Sequence, residues 1–229
     1  MSCGSEEPNA ICQINEDTDL TEPNVRATEI ELYEGLKASS QNCWPSVNFD
    51  IGGINNFISP FIPAGFYYKT FMWPKSFWKK IYEPLIRWSA GLGKSPTKPD
   101  PELYDHKHVH CDVLIIGGGI SGIIASKIAA KNNLKTILIE DKNILGGSTI
   151  FQKNKNYKIN DKYSGEWIGK EIAELKKLDN LTIKTRTSLA AYHSYNYLLA
   201  KENISDHLPL DKRNGGIRQR LWKIRADKV

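Results

Sequence analysis

Long apolar runs are missing from this 229-residue chain. No uninterrupted stretch approaches the roughly 20 apolar residues that a helix needs to cross a bilayer, so no membrane partner is expected. Cysteine is scarce as well: Cys3, Cys12, Cys43 and Cys111 stand far apart with no C-x-x-C pair. That spacing excludes a zinc ribbon and the usual iron–sulfur arrangement, and free thiols fit a reducing compartment. The opening Met1 to Glu7 is small and acidic and lacks the basic and apolar regions of a signal peptide, which points to the cytoplasm. Charge of one sign is not concentrated either. The net charge of +5 comes from 31 Lys and Arg interleaved with 26 Asp and Glu. Basic residues gather only after Lys212, without a zinc-finger, helix-turn-helix or RNP pattern, so no nucleic-acid partner is expected.

What the chain does contain is a glycine turn in a telling context. The run Val113-Leu114-Ile115-Ile116 leads directly into Gly117-Gly118-Gly119-Ile120-Ser121-Gly122. Cys111 to Ile116 predicts a short strand buried on both faces. Ile120, Ile123, Ile124 and Ile128 then recur at helical spacing, with Lys127, Lys131 and Asn132 facing away or closing the helix. A second strand, Thr136 to Ile139, ends at Glu140 and Asp141. Gly117 permits the tight turn, Gly119 lets backbone approach phosphates, and Gly122 lets the helix pack close to the strand. The helix N-terminus offers unpaired N–H groups and partial positive charge to a pyrophosphate. Glu140 follows Gly122 by eighteen residues, near the distance expected of a carboxylate that accepts from a ribose hydroxyl. An acid there repels a 2′-phosphate, which favours NAD or FAD over NADP. Gly146-Gly147-Ser148 supplies a second candidate close approach.

Elsewhere the pattern is less specific. Ala10 to Ile14 and Thr28 to Tyr33 alternate like strands. Phe57 to Trp88 is densely aromatic and broken by Pro60, Pro63, Pro74 and Pro84; it suits a core-wrapping or interdomain segment, a small-ligand site or a subunit interface. Lys75 to Arg87 holds one or two helical turns. Lys94 to Lys107 reads as a proline-rich linker. His106, His108 and His110 share one face of an extended segment; with no carboxylate beside them they read as solvated strand-edge residues and not as a metal site. Gly165 to Leu178 predicts a helix and Leu181 to Lys184 a third strand. The segment after it, near Ser188 and Leu189, is where adenine commonly meets backbone. Tyr192 to Lys201 and Gln219 to Ile224 predict a small antiparallel layer. No return strand of a doubly wound sheet is expected before Val229, which leaves an apolar sheet face uncovered.

Several stretches resemble the alpha subunit of heterotetrameric sarcosine oxidase. They include Glu7 to Ala10, Glu22 to Thr28, Glu31 to Leu36, Trp44 to Ser46, the block Ser59 to Pro74, His110 to Val113 and Arg218 to Trp222. The resemblance implies an internal fragment of that subunit. The implied fold is α/β: an incomplete doubly wound, Rossmann-like FAD/NAD(P)-binding domain over residues 108–229. A partial ferredoxin-like α+β region without a cluster over 1–56, and an aromatic segment with linker over 57–107, precede it. It implies a complex that converts sarcosine to glycine with formaldehyde or 5,10-methylenetetrahydrofolate and hydrogen peroxide. FAD and FMN lie elsewhere in that complex, tetrahydrofolate at a C-terminal region, and the partners are a beta subunit with smaller gamma and delta subunits. The candidate NAD contacts are Gly117, Gly118, Gly119, Ile120, Ser121, Gly122, Glu140, Asp141, Gly147, Ser148 and Leu189, with no catalytic or metal-binding residue. Two alternatives stay open. One is an FAD-binding subunit of an amine, opine or proline dehydrogenase or of hydrogen cyanide synthase. The other is a non-catalytic nucleotide-binding scaffold.

Overall fold

The computed structural model describes residues 11–16, 20–41, 43, 45–46, 48–54, 57, 60, 65, 71, 73–151, 158–213 and 215–229. The chain divides into two units, Met1–Pro101 with His207–Lys212 and Glu102–Asp206 with Arg213–Val229.

In the first unit, β1 (Ile11–Ile14), β2 (Glu22–Arg26) and β3 (Ala38–Ser40) form an antiparallel sheet of order β2-β1-β3. Cys12 faces Val25 on one side and Ser40 on the other. Both edges of β1 are therefore taken, and among the described residues Thr28 to Tyr33, expected as a strand, pairs with no strand. A 3-10 turn, Ala27–Glu29, lies there instead. β4 (Pro45–Ser46) and β5 (Phe49–Asp50) make a short hairpin. The helical turns expected after Pro74 are a 3-10 turn Lys75–Phe77, a π turn Trp78–Tyr82 and helix α1 (Glu83–Ser89). Glu7 to Ala10, and all of the Ser59 to Pro74 block except Pro60, Gly65, Phe71, Trp73 and Pro74, lie outside the described residues.

The second unit is built on β6 (Leu103–Ile116), helix α2 (Ile120–Lys131) and β7 (Thr136–Ile139). After the short hairpin β8 (Lys158–Ile159) and β9 (Lys162–Tyr163) come α3 (Ser164–Leu175), β10 (Leu181–Lys184), β11 (Thr187–His193), β12 (Tyr197–Asn203) and β13 (Ile217–Lys228). Six strands join in the order β10-β7-β6-β13-β12-β11. β10, β7, β6 and β13 are mutually parallel, whereas β12 is antiparallel to both β13 and β11.

Two expectations change here. β6 begins at Leu103, inside the expected linker, because β13 pairs with it from Leu103 to Val113. The segment Gln219 to Ile224 is likewise more than a member of an antiparallel layer. It belongs to a strand long enough to pair with β12 on one edge and, in parallel, with β6 on the other. A parallel neighbour of β6 is thus present where none was expected.

Two apolar clusters fill the unit. Ile123, Leu138, Leu145, Trp167, Ile168 and Leu175 lie between the sheet and helices α2 and α3. On the opposite face Leu114, Ile137 and Ile139 meet Leu198, Ala200, Ile224 and Ala226. Residues of β7 and β12 share this second cluster although two strands separate them in the sheet. The antiparallel half therefore coils back over the parallel half and covers the face expected to lie bare. Burying even one Leu or Ile side chain contributes about 1.5–3 kcal/mol, so this return adds substantially to the packing of the unit.

Helix α2 packs differently from its sequence pattern. Its buried residues are Gly122, Ile123, Ser126, Ala129 and Ala130, while Ile124 and Ile128 are 40% and 58% exposed. The small residues Gly122, Ser126, Ala129 and Ala130 allow the helix its close approach to the sheet, and Ile123, fully buried, fills the cluster beside them. Ile124 and Ile128 lie outward, whereas Ile120 packs against that cluster. Among the described residues no helix is long and apolar enough to cross a membrane.

Candidate functional site

The in-register pairing of β6, β7 and β10 brings Ile116, Ile139 and Lys184 to one edge of the sheet. Chain leaving that edge builds the site, since ligands of parallel α/β sheets bind outside the carboxyl ends of the strands. Gly117 turns there with φ of +97° and donates its N–H to Ile139 O at 2.8 Å. A Cβ on Gly122 would lie 1.9 Å from Gly117 O, so that position admits glycine alone. Gly119 is the N-cap of α2, and no side chain caps the helix. A Cβ placed on Gly119 would meet nothing within 4 Å. Uncapped N–H groups open toward free space are what an anion requires.

Glu140 ties the turn together. Its side chain is 6% exposed. Oε2 accepts the Gly118 N–H at 2.5 Å and Oε1 accepts the Lys142 N–H at 2.9 Å. Its own backbone is fixed on both sides, by its N–H to Lys184 O and by the Thr187 N–H to its carbonyl. Burial raises the Glu140 pKa above its ordinary value of 4.5, and a hydrogen bond with Asp141 adds to the shift. The same bond lowers the pKa of Asp141, with help from Lys142. A carboxylate already holding two backbone N–H groups keeps further lone pairs for a ligand hydroxyl.

The loop after Asp141 folds onto the turn. Gly146 donates its N–H to Gly118 O at 2.7 Å, and the Thr149 hydroxyl donates to Gly146 O. Gly147, at φ +57°, comes so near that a Cβ on it would stand 3.1 Å from Gly119 Cα. Between loop and strand end lies a cavity of about 330 Å³, lined by Glu140, Asp141, Lys142, Asn143, Ile144, Gly147, Ser148 and Ile150.

Of the residues expected from the sequence, Glu140, Asp141, Gly147 and Ser148 line this cavity. Gly117 to Gly122 adjoin it through the bonds of Gly118. Leu189 stands apart from the cavity lining, on β11, paired with Ala200 and 37% exposed. Lys142, Asn143, Ile144 and Ile150 were missed, and nothing in a polar loop marks them. Gly118 has a stricter role than the open middle position of G-x-G suggests. A Cβ there would lie 2.4 Å from Leu145 Cδ2 and 3.0 Å from Glu140 Oε2. His106, His108 and His110 are exposed along β6. Among the described residues no group of three His, Cys, Asp or Glu side chains could hold a metal ion.

Residues 112–206 match the family described as FAD dependent oxidoreductase. Sarcosine oxidase subunit alpha from Rhizobium meliloti (strain 1021) is 40% identical over 229 residues, covering 100% of this chain and 23% of that protein. The subunit of the same name from Corynebacterium sp. (strain P-1) is 32% identical over 61% of this chain and 14% of its own length. The L-proline dehydrogenase structure from P. horikoshii overlays on 52% of this chain and 22% of that one, with 24% identity and a TM-score of 0.39. The chain spans under a quarter of the Rhizobium protein. By sequence, the chain is similar along its whole length to the sarcosine oxidase alpha subunit, and within its α/β second unit residues 112–206 match the FAD dependent oxidoreductase family.

Proposed function

We propose that the chain is the nucleotide-holding part of an alpha subunit in a sarcosine oxidase-type complex, and that the nucleotide is NAD. The observation that supports this most is Glu140, anchored to Gly118 at the mouth of the cavity and beside an uncapped helix N-terminus. The N–H groups of Ile120, Ser121 and Gly122 suit a pyrophosphate, and Gly117 and Gly119 let it approach. Glu140 suits the ribose hydroxyls and disfavours a 2′-phosphate. Asp141, Gly147 and Ser148 close the cavity, and the backbone near Leu189 takes the adenine. NAD supplies hydride exchange when bound.

No residue of this chain is assigned to amine oxidation. In this proposal the complex oxidises sarcosine to glycine at an FAD on the beta subunit. FMN lies at the interface, tetrahydrofolate elsewhere in alpha, and gamma and delta subunits complete a cytoplasmic assembly. The ferredoxin-like assignment of residues 1–56 belongs to the same proposal.

FAD at the same turn is the second reading, favoured by the family matched over residues 112–206. The adenosine half of either nucleotide would make the same contacts. Spectra and calorimetric titration of the full-length subunit separate them. Saturable NAD binding by flavin-free protein is the expected result. Flavin absorbance retained by this subunit alone would favour FAD, and binding of neither would sink the dinucleotide site.

A further inference from the structure

The wall of the cavity begins with two acids and a lysine in succession, Glu140, Asp141 and Lys142. They follow directly on β7, and they are held very differently. Glu140 is 6% exposed, and each of its carboxylate oxygens is engaged, Oε2 by the Gly118 N–H and Oε1 by the Lys142 N–H. Its charge is therefore met by two N–H dipoles inside the protein. The Lys142 backbone is fixed from the other side as well, because its carbonyl accepts the Arg186 N–H at 2.9 Å. By contrast, the side chains of Asp141 and Lys142 are 55% and 53% exposed, with Lys142 Nζ 3.6 Å from Asp141 Oδ2.

The two acids also divide their charge unequally. Burial and the hydrogen bond with Asp141 raise the Glu140 pKa, while that bond and Lys142 lower the pKa of Asp141. A proton shared by the pair goes to Glu140, so the negative charge presented at the cavity wall belongs first to Asp141. Lys142 is the cation of that lining, and Asp141 neutralises it.

From this arrangement we infer that Asp141 is the residue that discriminates against a 2′-phosphate on the adenosine ribose, and that it does so in part by occupying Lys142. The inference rests on the dinucleotide reading and deepens it: Glu140 keeps the ribose contact, and most of the discrimination passes to its neighbour. A phosphate monoester carries about −1.5 to −2 charges at neutral pH. Beside Asp141 it meets an exposed carboxylate, and it gains Lys142 only by displacing the carboxylate that holds it. A lysine ammonium is a point charge that serves phosphate and carboxylate alike, so the preference turns on which anion reaches it. Selectivity of this kind comes from an unfavourable contact with the wrong ligand.

The test uses flavin-free full-length subunit and two probes that differ by a single phosphate, ADP-ribose and 2′-phospho-ADP-ribose, titrated calorimetrically. Both carry the adenosine diphosphate that NAD and FAD share. The readout is the ratio of the two dissociation constants within each variant, so a general loss of affinity or of folded protein cancels. The unaltered subunit should favour ADP-ribose. Asp141→Asn should shift the ratio toward the phosphorylated probe about tenfold, and more at low salt than at high. Adding Lys142→Gln to Asp141→Asn should take most of that shift away. Glu140→Gln should shift the ratio by about threefold at most, since its charge is buried and already met by two N–H groups. A ratio in Asp141→Asn within about twofold of the unaltered value, a shift that survives Lys142→Gln, or a larger shift in Glu140→Gln would overturn the inference. If the unaltered subunit binds neither probe, the dinucleotide site of the proposed function falls and the inference with it. Binding of ADP-ribose with an unmoved ratio leaves that site standing and removes the role of Asp141 alone.

Discussion

Replacing Glu140 by Ala removes two things at once, and the structure allows each to be weighed. The first is the internal acceptor of the Gly118 N–H, a buried bond of 2.5 Å. A charge-assisted bond of this kind contributes about 1.5–3 kcal/mol, and its orphaned donor stays buried. The Lys142 N–H is only partly buried and can turn to water, so it adds little. Set against this, Ala removes a carboxylate whose ionisation burial opposes. A net loss near 1–2 kcal/mol of stability is expected. The second loss is the bond to ribose, again about 1.5–3 kcal/mol, which is roughly a ten- to hundredfold rise in Kd. Chemical denaturation of the full-length subunit reads the first and isothermal titration with NAD the second. Unchanged stability would refute the claim that Glu140 holds the turn. A Kd that stays put while stability falls would refute the ribose contact and leave Glu140 as a loop anchor alone.

Gly122→Ala should be worse, because its Cβ would overlap Gly117 O at 1.9 Å, a backbone atom that cannot swing aside; about 3 kcal/mol of destabilisation with loss of nucleotide binding is expected, and a variant that melts and binds normally would disprove the packing. Lowering pH tests Glu140 in a second way. Its proton is held more tightly folded than unfolded, so its contribution to stability is present below pH 4.5 and lost as pH rises through the folded pKa. Nucleotide affinity should move oppositely across that window, since ribose hydroxyls need the ionised carboxylate as acceptor. Parallel trends, or the same profile in Glu140→Gln, would reject the assignment. Burial pushes the Cys111 thiol up to about 11, and iodoacetamide at neutral pH should label it only after unfolding; labelling of the native protein would show that this side of β6 is open.

The glycine turn, its helix, Glu140 and the strands Thr136–Ile139 and Leu181–Lys184 were legible because their signals are local. Each depends on a few adjacent residues whose conformational needs are narrow. Long-range pairing was not legible. Gln219 to Ile224 alternates like any half-buried strand, and nothing in those residues says that the opposite edge meets β6 in parallel. Thr28 to Tyr33 alternates equally well and still pairs with none of the described strands, so alternation alone does not secure a place in a sheet. In α2 the apolar spacing pointed to Ile120, Ile123, Ile124 and Ile128; the first two do pack inward, but beside them a close helix–sheet approach selects small side chains and leaves the other two exposed. Gly122, Ser126 and Ala130 carried that signal, and it is read from spacing of small residues more than from hydrophobicity.

One residue links the glycine turn to the histidines earlier on the same strand. The N–H groups of Asp112 and Val113 both reach Lys135 O, at 2.9 and 3.3 Å, while Asp112 Oδ2 accepts the Lys135 N–H at 2.7 Å. Two residues of β6 thus oppose one, which is a bulge. Strict alternation from Leu114 would send residue 112, and with it His110, His108 and His106, into the apolar cluster. The bulge shifts the phase by one, so that Cys111 and Val109 enter the cluster and the histidines face outward. Downstream of it, Ile115 still meets helix α2 and Gly117 still turns at the sheet edge. The Asp112 carboxylate, bonded back to the Lys135 N–H, is what pins this shift. The same aspartate therefore keeps the Gly117 turn and the outward histidines in register.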